Sequence, residues 1–198
     1  MTNAREDSIL NKISIGGAAS FVLAPFPEYR QKPAFDLAGT ISRTAGRLAI
    51  RYALSGNLHS IDVAEQASTP LRLDHLWETT CFEFFLAAPA RDEYWEFNLS
   101  PARHWNAYHF DGYRKGMREE SLVSELPFRI ERTDRRFSLS LELDISPLIP
   151  AKSPVSAGIT AVLRTHEGKT GYWALTHKGS EPDFHRLDSF ILQLEPSR

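Results

Sequence analysis

Phe137-Ser-Leu-Ser-Leu-Glu-Leu-Asp-Ile145 decides the fold class. Phe137, Leu139, Leu141, Leu143 and Ile145 alternate with Ser138, Ser140, Glu142 and Asp144. Side chains along a strand point to opposite faces in turn, so this segment is a strand with one apolar and one polar face. A helix would spread the five apolar residues around its circumference and bury none of them cleanly.

The same period extends outward in both directions. Leu48, Ile50, Tyr52 and Leu54 alternate with Ala49, Arg51 and Ala53. In Tyr94 to Leu99, Trp95, Phe97 and Leu99 take one face and Tyr94, Glu96 and Asn98 the other, with Ser100 continuing the polar row. Cys81 to Leu86, Phe128 to Glu131, Ile159 to Arg164, Gly171 to Leu175 and Phe190 to Leu194 read as further strands, and Phe35 to Ser42 as a weaker one. Ser55-Gly56-Asn57, Ala90-Arg91-Asp92, Thr133-Asp134-Arg135 and Glu167-Gly168-Lys169 supply turns between them. The last of these sets up a hairpin of Ile159–Arg164 with Gly171–Leu175. Ile61 to Ala67 and Arg114 to Ser124 are short helices or irregular loops, and Pro147 and Pro150 end the Phe137–Ile145 strand. Many short strands with regular turns predict an all-β, two-sheet sandwich, jelly-roll-like, with short helical or irregular insertions.

The chain has 198 residues, which suits one such domain. Residues 1–20 are expected to be an N-terminal extension and residues 21–198 the sandwich. With 23 basic and 25 acidic residues the net charge is −2, so no basic face for nucleic acid and no polybasic cluster for anionic lipid is expected. The lone cysteine, Cys81, forbids an intrachain disulfide and a cysteine-rich zinc site. Inside an apolar strand it is expected to be a buried, inert thiol. No leader peptide and no membrane span are expected, and the location expected is the cytoplasm.

Familiar catalytic signatures are missing. The chain has no phosphate-binding Gly-x-x-x-x-Gly-Lys-Ser/Thr loop, no Gly-x-Gly-x-x-Gly, no Gly-x-Ser-x-Gly elbow and no His-Glu-x-x-His pair. The seven histidines are scattered, which argues against a bound metal or other cofactor. What stands out is Leu76 to Arg114, which holds Trp77, Trp95 and Trp105 with Tyr94, Tyr108 and Tyr113 among Glu83, Glu96, Asn98 and two histidines. Carboxylates and amides beside aromatic rings suit a sugar: rings cover its apolar C–H patches and polar groups take its hydroxyls. A second such stretch, Tyr172 to Phe190, adds Trp173, His177, Asp183 and His185, with Pro182-Asp183-Phe184-His185 reading as a structured loop. The candidate ligand-binding residues are therefore Trp77, Glu83, Glu96, Asn98, Trp105, Tyr108, Trp173, His177, Asp183 and His185. Trp95, on the parity of Phe97, belongs to the core.

Leu76-Trp77-Glu78-Thr79-Thr80-Cys81-Phe82-Glu83-Phe84-Phe85, Tyr94-Trp95-Glu96-Phe97-Asn98-Leu99-Ser100-Pro101, Trp105-Asn106-Ala107-Tyr108 and Pro182-Asp183-Phe184-His185 together resemble bacterial DOMON-like proteins, relatives of family 9 carbohydrate-binding modules. The resemblance runs from Phe21 to Leu194. It implies a β-sandwich or jelly roll that binds sugars or haem. The methionine and histidine that hold haem in the cytochrome relatives have no clear counterpart here. The tryptophan pair that sandwiches sugar would fall on Trp77 and Trp173. The leading expectation is a non-catalytic domain that binds a carbohydrate or other small polar ligand. The alternatives are an enzyme acting on a sugar or cell-wall precursor with Glu83 and Glu96 as acid and base, a haem or metal carrier, and a protein-interaction domain.

Overall fold

A computed structural model describes residues 18–27 and 35–196. Of the expected N-terminal extension, residues 1–17 lie outside the described residues. The architecture is two antiparallel sheets packed face to face with no α-helix among the described residues, as the alternation requires.

The first sheet has five strands: β1 (Ala18–Val22), β3 (Phe35–Thr44), β4 (Arg47–Gly56), β10 (Arg136–Asp144) and β9 (Phe128–Thr133), in that spatial order. Strand β1 takes in the last residues of the stretch expected to be an extension. The second sheet runs β2 (Ala24–Pro25), β12 (Thr170–Ala174), β11 (Val155–Arg164), β5 (Cys81–Ala87), β6 (Tyr94–Leu99), β7 (Trp105–Phe110) and β8 (Arg118–Glu119), with β13 (Leu192–Leu194) also paired to β11. Strands β12 and β13 meet different parts of β11, at residues 160–164 and 155–157. The expected hairpin is the β11–β12 pair, closed with Arg164 opposite Thr170. Its turn places Gly168 at φ +80°, a conformation that favours glycine.

The core lies between the sheets. Leu37, Ile41, Ile50, Tyr52, Phe137 and Leu139 come from the five-stranded sheet, and Phe82, Phe84, Phe97, Leu99, Ile159 and Leu163 meet them from the other. Phe84 and Phe97, cross-strand partners, stack with ring centroids 4.4 Å apart. Tyr52 crosses the core and donates its hydroxyl to the Glu83 carbonyl at 2.6 Å, so one sheet pins the strand of the other that carries Glu83.

The two segments left between helix and loop are irregular. Ile61 makes one bridge to Thr165 and the rest of 61–67 has no strand or helix; Arg114–Ser124 contains β8 and turns. The short helical elements that do occur are single turns, Leu76–Glu78 and Leu187–Ser189. No helix among the described residues is long and apolar enough to cross a membrane.

Candidate functional site

Facing away from the core, the eight-stranded sheet presents a second set of side chains: Cys81, Glu83 and Phe85 on β5, Tyr94, Glu96 and Asn98 on β6, Asn106, Tyr108 and Phe110 on β7, and Thr160 and Val162 on β11. An outer sheet face is ordinarily solvated and polar. Here it is covered. The turn at Leu76–Glu78 lays Trp77 over one side, and the 182–190 loop lays Phe184 and His185 over the other. A separate apolar cluster of Phe85, Tyr94, Tyr108, Phe110 and Phe190 forms beneath them.

Between the two covers is a cavity of about 340 Å³. Glu83 and Glu96 line its floor, Trp77, Phe110, Tyr172 and Phe184 its walls, and Arg114 and Met117 its mouth, with His185 alongside. Trp77 and Phe184 are half-buried and Tyr172 is exposed, so aromatic surface remains open to an occupant.

The floor is unusual for its buried carboxyls. Glu83 is 2% exposed and Glu96 4%. Thr160 donates to Glu83 Oε2 at 3.3 Å, whereas Glu83 Oε1 is buried with no hydrogen-bond partner. Asn98 Nδ2 donates to Glu96 Oε1 at 2.9 Å, and the Cys81 thiol lies 3.7 Å from Asn98 Oδ1. Burial disfavours the ionised carboxylate, and a neighbouring like charge adds to the effect. Burial, then the Glu96 charge, push Glu83 well above the ordinary carboxylate range, against the Thr160 hydroxyl and a weak thiol contact from Cys81. Burial raises Glu96 to about 7, with the Asn98 hydrogen bond and the Arg114 charge pulling the other way. Burial and the nearby Glu83 push the Cys81 thiol up as well, which disfavours the thiolate; the thiol is buried, as expected.

Above the floor the protons can be placed. Burial pushes Tyr94 up to about 12, so its hydroxyl stays protonated. The phenolic oxygen accepts the Arg114 backbone N–H at 3.2 Å and is hydrogen-bonded to His185 Nδ1, 2.9 Å away. Burial, then the Arg114 charge, lower His185 to about 4, so the ring is neutral at physiological pH. If Nδ1 accepts from Tyr94, the ring proton is on Nε2, which lies 4.0 Å from Glu96 Oε2.

Arg114 occupies the turn between β7 and β8 at φ +53°, a strained conformation for a residue with a side chain. Its backbone bond to Tyr94 and a 2.8 Å ion pair with Asp183 fix it there. Asp183 also accepts the Tyr113 hydroxyl at 2.6 Å. Burial alone would raise the Asp183 carboxyl; the Tyr113 and Arg114 hydrogen bonds outweigh it and hold it below the ordinary value.

Of the ten expected residues, the cavity brings together Trp77, Glu83, Glu96 and His185. Three stand behind these. Asn98 orients Glu96. Tyr108 packs its ring edge against Trp77 at 5.8 Å and donates its hydroxyl to Asp74, in the segment that leads into the Trp77 turn. Asp183 holds Arg114. The other three are elsewhere. Trp105 and Trp173 lie in the core between the sheets, a correction to their assignment as stacking residues. Trp105 pairs with Leu99 and Trp173 with Ala161, and cross-strand partners share a face, so both indoles point inward. His177 donates Nε2–H to the Ala24 carbonyl at 3.0 Å and packs on Phe26, outside the cavity lining. His177 and His185 therefore serve different partners. No group of three or more His, Cys, Asp and Glu side chains among the described residues is arranged to hold a metal ion.

Sequence reasoning missed Arg114, Tyr94, Phe110, Tyr172 and Phe184. Parity already puts Tyr94 on the face of Glu96 and Asn98, and the same reasoning puts Phe110 on the face of Tyr108. Arg114 carries no such signal, since its partner Asp183 is distant in sequence.

No family model matches the chain, and neither does any curated protein sequence. Among solved structures, a candidate carbohydrate-binding protein from Bacteroides uniformis is similar in fold, with a TM-score of 0.64 at 14% identity over 86% of this chain and 83% of that one.

Proposed function

We propose that this chain is a non-catalytic sugar-binding domain, and that its ligand is a small saccharide held in the cavity on the outer face of the eight-stranded sheet. The observation that carries this reading is the floor: two buried carboxyls, one with an unpartnered oxygen, under a roof of aromatic rings. A buried polar atom without a partner is costly, and an occupant that brings hydrogen-bond donors would offset that cost. Sugar hydroxyls are such donors, and Trp77 and Phe184 offer the flat apolar faces on which a pyranose ring packs. A volume of about 340 Å³ lies at the small end of ligand sites and suits one or two sugar units rather than a long chain. The DOMON-like sequence pattern and the description of the similar Bacteroides uniformis protein support the same reading.

Glycoside hydrolysis is the second reading, favoured by the Glu83–Glu96 pair and by a Glu96 carboxyl near 7. Hydrolysis by two carboxyls requires environments that push their proton affinities apart, leaving one ionised. Here burial disfavours the ionised form of both carboxyls. Titration with a panel of soluble mono- and disaccharides, followed by tryptophan emission, tests the first reading. Saturable binding lost in Trp77→Ala supports it, and no binding across the panel contradicts it. Release of nitrophenol from aryl glycosides, abolished in Glu96→Gln, would select hydrolysis.

A further inference from the structure

We infer that the ligand carries a primary ammonium group, an amino sugar rather than a neutral one, and that this ammonium seats on the Glu83 and Glu96 carboxyls. The inference rests on the sugar-binding reading and deepens it.

The charges around the floor point this way. Glu83 is faced by Cys81 along its own strand, by Thr160 from β11, and by Glu96 and Asn98 from β6. Above them stand Tyr94, His185, Arg114 and Asp183. None of these supplies the floor with an unshared cation. Arg114 is already paired to Asp183 at 2.8 Å. His185 is neutral, with its Nε2–H 4.0 Å from Glu96, too far for a direct hydrogen bond. Thr160 and Asn98 each satisfy one carboxyl oxygen and leave Glu83 Oε1 with none. Two carboxyls with no cation in direct contact, one oxygen unmet, form a seat for a compact, multiply donating cation. An ammonium offers three N–H donors to the several free lone pairs of the pair. A hydroxyl offers one donor and gives the carboxyls no charge partner.

Seating an ammonium also favours the ionised carboxylates. Both carboxyls are raised in the empty cavity, so binding near neutral pH should drive protons off them.

The test is calorimetric titration of the full chain with D-glucosamine, D-glucose and N-acetyl-D-glucosamine, and with the corresponding galacto and manno sets. Each is run in two buffers of different ionisation enthalpy. The expected result is that one amino sugar binds about tenfold or more tighter than its neutral parent and its N-acetyl form, with proton release to buffer. Glu83→Gln, isosteric and uncharged, should erase the preference; Glu96→Gln serves the same purpose if the first variant does not fold. Equal affinity for amino and neutral members of a set overturns this inference and leaves the sugar-binding reading intact. No binding of any sugar, neutral or amino, overturns the reading on which it rests.

Discussion

Glu83 and Glu96 stand diagonally across two neighbouring strands: Glu83 is opposite Asn98, and Glu96 is opposite Phe85. Both point out of the same sheet face, yet both are almost wholly buried. The cover that buries them is made of two segments distant in sequence, the Trp77 turn and the 182–190 loop. This pairing and its cover have measurable consequences.

Stability should fall as pH rises through neutrality. A carboxyl raised in the folded state above its ordinary value contributes stability that is complete below about pH 4.5 and is lost as pH rises through the folded value. For Glu96 that window runs from 4.5 to about 7, and Glu83 acts in the same direction. Melting temperatures at pH 5 and pH 8 should show a decline in the wild type and a shallower one in Glu96→Gln. An equal slope in the two proteins would mean that Glu96 is not held in its neutral form.

The tryptophans should separate by role. Trp105→Ala and Trp173→Ala each empty a large volume from the core and should cost about 3–5 kcal/mol. Trp77, half-buried at the cavity wall, should cost about 1 kcal/mol when truncated and should remove sugar affinity. Denaturant melts of the three variants check this. A Trp77→Ala loss as large as that of Trp105→Ala would make the Trp77 indole structural.

His185 should remain neutral down to about pH 4, with its proton on Nε2. Two-dimensional ¹H–¹⁵N spectra of the ring would report Nδ1 as the bare nitrogen. In Tyr94→Phe, which removes the hydroxyl directed at Nδ1, the tautomer should lose its preference. A doubly protonated ring at pH 6 would contradict the arrangement.

Gly158 sets how closely the 182–190 loop lies on the sheet. A Cβ at this position would come within 2.6 Å of the Phe190 ring, which packs on Phe85 and Tyr94 under the cavity. Gly158→Ala should therefore destabilise by about 1–3 kcal/mol and weaken ligand binding as the loop is lifted. A variant with native stability and native affinity would show that the loop has slack.

The sheets were legible because alternation is local. Phe137 to Ile145 and Tyr94 to Leu99 state in their own residues which face is buried, and Trp95 was placed correctly on that basis. Trp105 and Trp173 were not, because their inward direction follows from register against Leu99 and Ala161, which only the paired strands reveal. Four of the eleven residues that line the cavity were visible as carboxylates and a histidine among aromatics. The rest depends on contacts between distant segments: Arg114 with Asp183, Tyr94 with His185, and Thr160 with Glu83. Strands β2 and β8, of two residues each, carry too few alternations to be read, and β1 straddles the boundary expected between extension and domain. Strand β7 escaped because both of its faces, Trp105-Ala107-His109 and Asn106-Tyr108-Phe110, mix polar and apolar residues.

The most direct test of the central claim is a tryptophan-emission titration of the wild type, Trp77→Ala and Glu96→Gln against the saccharide panel. The account predicts saturable binding of a small sugar to the wild type, lost in Trp77→Ala and weakened in Glu96→Gln while both variants stay folded. Undiminished binding in both variants would place the ligand elsewhere on the molecule and contradict the cavity as the site.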